Sequence, residues 1–307
     1  MHFLKTAERY CLYGHIVSMA FGLAGLLLVM PHPDFLKYFP AGQKLFQLSM
    51  AGGGVVYILL GTIAVGCYAY RTIGAKALLA FLIPSIGISL ACELLGTSSG
   101  FPFGDYSYLN GLGYKIAGLV PFTIPLSWFY LGLSSYLLSR GGFCRPGQRF
   151  VGLQILGSIA LGAVLLMAWD FVLDPAMSQT ALPFWYWHEP GAFFGMPYQN
   201  FAGWFGTGVV FMSVATLLWR GNPKIDQLTR HDLVTPLVVY LANFAFAMVM
   251  SMAAGFWIPI SLGFLVGAGP AILCWWRSKP AVSSAQATTN LVQSQSRVSP
   301  SVGVVTK

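Results

Sequence analysis

The 307-residue chain is 56% hydrophobic, with 17 basic and nine acidic side chains and a mean hydropathy of +0.67. Too few ionic groups are available to cover a water-facing shell, which excludes a soluble enzyme and describes an integral membrane protein. The net charge of +8 does not mark a nucleic-acid binder, because the Lys and Arg residues stand singly between apolar runs with no basic stripe.

A bilayer crossing needs about 20 apolar residues. Eight such runs occur, giving an all-α, polytopic chain: Gly14 to Met30, Leu48 to Tyr70, Ala75 to Leu95, Ile116 to Leu138, Phe150 to Leu173, Phe201 to Trp219, Leu233 to Ala253 and Phe256 to Trp276. The first run ends in Leu28-Val29-Met30-Pro31, without the small-residue pattern of a cleaved signal peptide. Composition divides the chain into a transmembrane domain over residues 1–277 and a tail over 278–307, rich in Ser, Thr, Gln and Val, that is expected to be disordered and cytoplasmic. The five cysteines show no metal-ligand spacing and read as small apolar fillers.

With eight spans and a cytoplasmic N-terminus, 14 of the 17 basic residues fall on one side, leaving Lys37, Lys44 and Lys115 opposite. The positive-inside rule then places both termini in the cytoplasm. The acids sort the other way. Asp34, Glu93, Asp105, Asp170, Asp174 and Glu189 fall on the non-cytoplasmic side, and carboxylates near a membrane interior are costly unless paired or protonated, which makes them functional candidates.

The third span ends with Glu93, and its loop continues Gly100-Phe101-Pro102-Phe103-Gly104-Asp105-Tyr106. The fifth ends Trp169-Asp170-Phe171-Val172-Leu173-Asp174-Pro175, where the proline predicts a stop, and its loop carries Trp185, Trp187, Phe194 and Tyr198. A spacing of four stacks Asp170 and Asp174 on one helix face. Taken singly, a helix-end acid fits a water interface and a Trp or Tyr fits the aromatic belt. Here, however, both long outer loops follow an acid-terminated helix. Phe103-Gly104-Asp105-Tyr106 and Phe194-Gly195-Met196-Pro197-Tyr198 form a weak internal echo without the constant period of a repeat.

Glu93 with Gly96, the Gly100 to Tyr106 loop, Trp169-Asp170 to Asp174-Pro175, and Gly195-Met196-Pro197-Tyr198-Gln199-Asn200-Phe201 together resemble the CruF-type carotenoid biosynthesis proteins. The resemblance covers roughly residues 10–276. It implies a carotenoid hydratase acting on an acyclic (ψ) end group such as that of lycopene or γ-carotene, in a myxoxanthophyll-type or bacterioruberin-type pathway. It also implies a bacterial, cyanobacterial plasma or thylakoid membrane, a carotenoid drawn from the bilayer, and a downstream carotenoid glycosyltransferase.

The chemistry of the residues agrees. Hydrating a trisubstituted alkene needs a proton on the less substituted carbon, then water on the tertiary cation. A carboxylic acid enclosed by apolar groups or set beside another carboxylate holds its proton near neutrality. Glu93 or Asp170 is the expected donor, and Asp174 or Asp105 the group that orients water. Trp169, Trp185, Trp187, Phe194, Tyr198, Phe103 and Tyr106 are expected to surround the substrate and stabilise the cation. No cofactor or metal is expected, since the histidines are isolated and no dinucleotide motif is present. Alternatives are a carotenoid cyclase, which shares the cation step; a membrane prenyltransferase, which wants more phosphate-neutralising bases than three lysines; and a lipid or proton-coupled transporter.

The topology is testable by replacing Ser99 with Cys in a cysteine-free background. An impermeant thiol reagent should label it from the non-cytoplasmic side, and labelling from the cytoplasm alone would overturn the orientation.

Overall fold

The computed structural model describes residues 2–280 apart from 39, 145–149 and 181. Helix α1 (His2–Ala24) continues through a π-type turn (Gly25–Val29) and is followed by α2 (Pro40–Thr72) and α3 (Ala75–Ser99). A loop region then carries β1 (Tyr106–Tyr108), β2 (Lys115–Ile116) and β3 (Val120–Pro121) before α4 (Thr123–Phe143) and α5 (Val151–Ser178). Beyond them lie β4 (Trp185–Trp187), α6 (Tyr198–Leu218), the short α7 (Pro223–Asp226) and α8 (Val234–Ala253). The last body is α9 (Trp257–Gly263), a π-type turn (Phe264–Ala268) and α10 (Gly269–Arg277), joined end to end. Pro270 has no N–H to donate, and the widened turn before it re-forms the ladder, with Gly269 N–H on the Phe264 carbonyl.

Among the described residues, seven helical bodies are long and apolar enough to cross a membrane. The eighth long helix, α4, is the hub: it packs against α2, α3, α5, α6, α8 and α10, and every residue from Ser127 to Arg140 is buried. Its serines explain its lower hydropathy. A helix surrounded by protein need not be oily, and small hydroxyl residues let neighbours approach and bond across; Ser139 Oγ donates to the Ser158 carbonyl at 2.7 Å. Several bounds differ from expectation: the first helix starts at His2 and not Gly14, and the second at Pro40 and not Leu48. The fourth span starts at Thr123, because Ala117 (φ 51°) and Gly118 (φ 73°) turn the chain back and pair Ile116 with Val120 in a hairpin. The fifth passes through Pro175 to Ser178, its last turn closed by Gln179 N–H on the Pro175 carbonyl and buried against the core. The proline there removes one bond near a helix end, where the cost is least.

Close packing depends on a few glycines. A Cβ on Gly263 would lie 2.2 Å from Val172 Cγ2, and one on Gly267 3.0 Å from Ala168 Cβ, so the GxxxG face of the last body is fitted against α5. Asn243 of α8 ties three helices together, meeting His15 Nε2 at 2.9 Å and accepting from the Tyr130 hydroxyl at 3.1 Å.

The helix alternation gathers charge pairs at the end that carries Glu8 and Lys279. Arg71 donates to Glu8 at 2.9 and 3.2 Å, and Arg140 meets Asp226 at 2.6 Å. The start of the expected tail is fixed there, with Arg230 N–H donating to the Lys279 carbonyl at 2.6 Å; residues 281–307 lie outside the described residues.

Gly263→Leu should cost at least about 1–3 kcal/mol through overpacking, read by denaturant titration of the purified protein followed by circular dichroism. Gly206→Leu, where a Cβ meets nothing within 4 Å, should stay within about 0.5 kcal/mol.

Candidate active site

The opposite end of the bundle holds the acids. Glu93 sits near the end of α3 and is 3% exposed. Both its oxygens are occupied: Oε2 accepts from the Tyr106 hydroxyl and, at 2.8 Å, from the Tyr108 hydroxyl, while Oε1 accepts from Trp128 Nε1 at 2.9 Å. One turn apart on α5, Asp170 and Asp174 are 1% and 3% exposed. Asp174 accepts from Trp187 Nε1 at 2.9 Å, Trp185 Nε1 at 3.0 Å and Ser178 Oγ at 3.1 Å. Asp170 has a single side-chain donor among the described residues, Asn200 Nδ2 of α6, at 2.5 Å on Oδ2. Its other oxygen receives none.

The donors come from a two-stranded antiparallel ribbon joining the two outer loops. β1 pairs with β4 so that Tyr106 faces Trp187 and Tyr108 faces Trp185. Alternation along each strand points these four side chains to one face. The tyrosines reach Glu93 and the tryptophans reach Asp174. Burial, then the neighbouring Glu93 carboxylate, holds the Tyr106 and Tyr108 phenols well above their usual range, so they remain donors through neutral and mildly alkaline pH. Ser107 and Tyr186 take the outer face, where Ser107 Oγ meets His188 Nε2 at 2.9 Å.

Below the ribbon lies a cavity of about 110 Å³ lined by all three carboxylates, by Tyr106, Tyr108 and Phe103, and by Trp128, Trp169, Trp185, Trp187 and Trp204. Among the described residues, no Lys or Arg lines it. Trp128 and Trp204 stack with centroids 4.1 Å apart, and Trp169 meets Trp204 edge-on at 6.0 Å. Phe103 enters between α3 and α6 because Gly96 and Gly203 give it room: a Cβ at either would come within 2.9 Å of its ring.

Three expected site residues are not brought to this cavity. Asp105 precedes the ribbon and its side chain is 64% exposed, 3.8 Å from His188 Nε2; strand alternation begins one residue later, so it is not carried inward. Tyr198 is 64% exposed at the start of α6. Phe194 packs outside the cavity against Phe193 and Phe256. Four contributors were not singled out from sequence: Tyr108, Trp128, Asn200 and Trp204. Period-two spacing from Tyr106 marks Tyr108, and four-residue spacing on α6 would join Asn200 to Trp204. Trp128 has no sequence signal, since only the folded hub helix brings it to Glu93. The echo segments around Phe103 and Phe194 do not pair with each other; the ribbon uses their neighbours. Among the described residues, no group of three or more His, Cys, Asp or Glu side chains is arranged to hold a metal ion.

Residues 53–270 match the family described as carotenoid biosynthesis protein. The chain belongs to that family. It is 34% identical over 195 residues to the bisanhydrobacterioruberin hydratase of Haloarcula japonica, an alignment covering 63% of this chain and 61% of the relative. No solved structure matches significantly. In this carotenoid biosynthesis protein all three carboxylates, the ribbon and Asn200 fall inside the matched residues, whereas α1, which lines the far part of the cavity at Ser18, Met19, Gly22 and Leu26, precedes them.

Trp187→Phe keeps an aromatic ring, though a smaller one, and strips a donor from buried Asp174; it should cost at least about 1–3 kcal/mol in the same denaturation measurement. Tyr186→Phe, on the outward face, should cost under about 0.5 kcal/mol.

Proposed function

We propose that this family member is a carotenoid hydratase that adds water to the terminal double bond of an acyclic end group, giving a tertiary (1'-) alcohol. The observation that carries this is the unequal bonding of three buried acids in one aromatic cavity. Glu93 and Asp174 each accept three hydrogen bonds, whereas Asp170 keeps an oxygen without a donor. Asp170 is therefore the proton donor. Its proton forms the new C–H bond at the less substituted carbon with the alkene's π electrons, leaving a tertiary cation. The faces of the surrounding rings stabilise that cation by about 0.5–2 kcal/mol each. Water oriented by Asp174, one helical turn away, forms the C–O bond and returns its proton to Asp170. The sum is alkene plus water to alcohol, with the acid restored. The hydratase name of the Haloarcula japonica relative supports a water-adding reaction.

The apolar, tryptophan-lined surroundings of the acids suit an acyclic hydrocarbon end group. Lycopene and γ-carotene both offer such an end. The charge pattern supports an N-in, C-in orientation in a bacterial plasma or thylakoid membrane, and a tertiary alcohol is a fitting acceptor for a glycosyltransferase acting later.

Membranes containing the chain and lycopene, incubated anaerobically in ¹⁸O-labelled water, should yield a labelled tertiary alcohol. Asp170→Asn should lower product at least about tenfold at equal protein level, and Asp105→Asn should stay within about twofold, given its place outside the cavity. Label arriving from ¹⁸O₂, or a cyclised product without oxygen, would overturn the hydratase reading.

A further inference from the structure

The cavity extends well past the acids. Its far part is lined by Ser18, Gly22 and Leu26, which follow one another at four-residue spacing along one face of α1, by Gly53 and Tyr57 of α2, and by Phe246 of α8. These residues are half-buried, whereas the acids are buried, so the cavity rises to the lipid-facing surface beside α1. The glycines here differ from those that serve packing. A Cβ on Gly22 would find its nearest neighbour, Phe246 Cε2, 4.0 Å away, and one on Gly53 would meet only Ser49 Oγ of its own helix, at 3.4 Å. On Gly263 the same atom would be 2.2 Å from Val172, and on Gly61 2.8 Å from His15. At Gly22 and Gly53 a methyl group would fit in ordinary contact, without the overlap met at Gly263 and Gly61. Tyr57 and Phe246 stack beside it with centroids 6.1 Å apart and planes at 29°, and Leu26 belongs to the π-type turn that widens α1 at this level. At the inner end, Asp170 presents its donor-free oxygen while 1% exposed.

We propose that the half-buried face where Ser18, Gly22 and Leu26 meet Gly53, Tyr57 and Phe246 is a lateral portal, through which a linear polyene enters from the bilayer core with one end first. The proposal rests on the hydratase reading for the chemistry at the inner end. The terminal unit reaches Asp170 and the polyene lies flat against Tyr57 and Phe246, with the remainder still in lipid. The ribbon covers the outer end and α4 fills the centre. Selectivity follows from this geometry. The entering end must be acyclic and narrow, while the trailing end, never leaving the bilayer, is free to carry a ring. A molecule with two acyclic ends is hydrated at each only by leaving and returning reversed.

Binding tests the portal separately from turnover. Purified wild type, Gly22→Phe, Gly22→Ala and Gly87→Phe are incubated in detergent with lycopene, and retained pigment is measured by absorption after gel filtration. Gly22→Phe should retain at least about fivefold less than wild type. Gly22→Ala, whose methyl fits, and Gly87→Phe, where nothing lies within 4 Å of a Cβ and which is far from the cavity lining, should match wild type. Since the Phe variant can fail through misfolding, Gly22→Cys is also exposed to a lipophilic maleimide, and lycopene should slow its labelling at least about fivefold. Equal retention by all four proteins, including none by any, or labelling unaffected by lycopene, would overturn the portal. Pigment retention by wild type without hydrated product would instead refute the hydratase reading and leave the portal standing.

Discussion

Three carboxyl groups share one cavity inside a membrane helix bundle, and no cation is there to meet them. Burying such groups costs several kcal/mol each unless their oxygens find partners. Every partner found is a neutral N–H or O–H, and most sit on aromatic rings. The outer architecture follows from that need. The ribbon must hold its register to aim four rings inward, α4 must run through the centre to present Trp128, and Gly96 and Gly203 must be bare for Phe103 to fit between their helices. A one-residue slip of β1 would send Ser107 inward and both tyrosines outward.

The two ends of the bundle solve the same problem differently. Glu8 and Asp226 are held by arginines, Arg71 and Arg140. An arginine fixes a carboxylate as an anion and removes it from proton transfer. At the other end, neutral donors hold Glu93 and Asp174 in place without cancelling their charge, and Asp170 is left under-bonded between them. Ion pairs anchor one end, and the other keeps a proton that can be given away.

Much of this was legible in the sequence. Apolar runs located every long helix, because lipid imposes length and hydropathy on any helix that faces it, but missed the starts of the first two, at His2 and Pro40. The hub helix was misplaced at both ends, since packing and not lipid sets its composition, and the Ala117-Gly118 turn hid inside an apolar run. The acids were legible for the same thermodynamic reason that they are rare in spans. The aromatic loops stood out as loops, but which rings face inward depends on strand pairing between segments about 80 residues apart, as seen for Tyr106 and Trp187. A loop reading sends Asp105, Phe194 and Tyr198 to the site by proximity. The pairing keeps Asp105 outside by one position and leaves the other two beyond the ribbon. Trp128 belongs to the site only through tertiary structure.

The hydrogen bonds of the site also bear on how the chain can be made. Tyr106 and Tyr108 follow Glu93 by 13 and 15 residues, and Trp185 and Trp187 follow Asp174 by 11 and 13. Each acid therefore leaves the ribosome closely followed by its own solvating groups, on the loop that emerges directly behind its helix. During insertion, α3 with its loop can supply two of the three donors to Glu93, and α5 with its loop all three donors to Asp174. Joining the two loops then costs little unsolvated charge at any stage. The remaining donors come with the next helix, Trp128 of α4 for Glu93, 35 residues on, and Asn200 of α6 for Asp170, 30 residues on, so the proton donor, which has no donor from its own loop, is the last of the three to be enclosed.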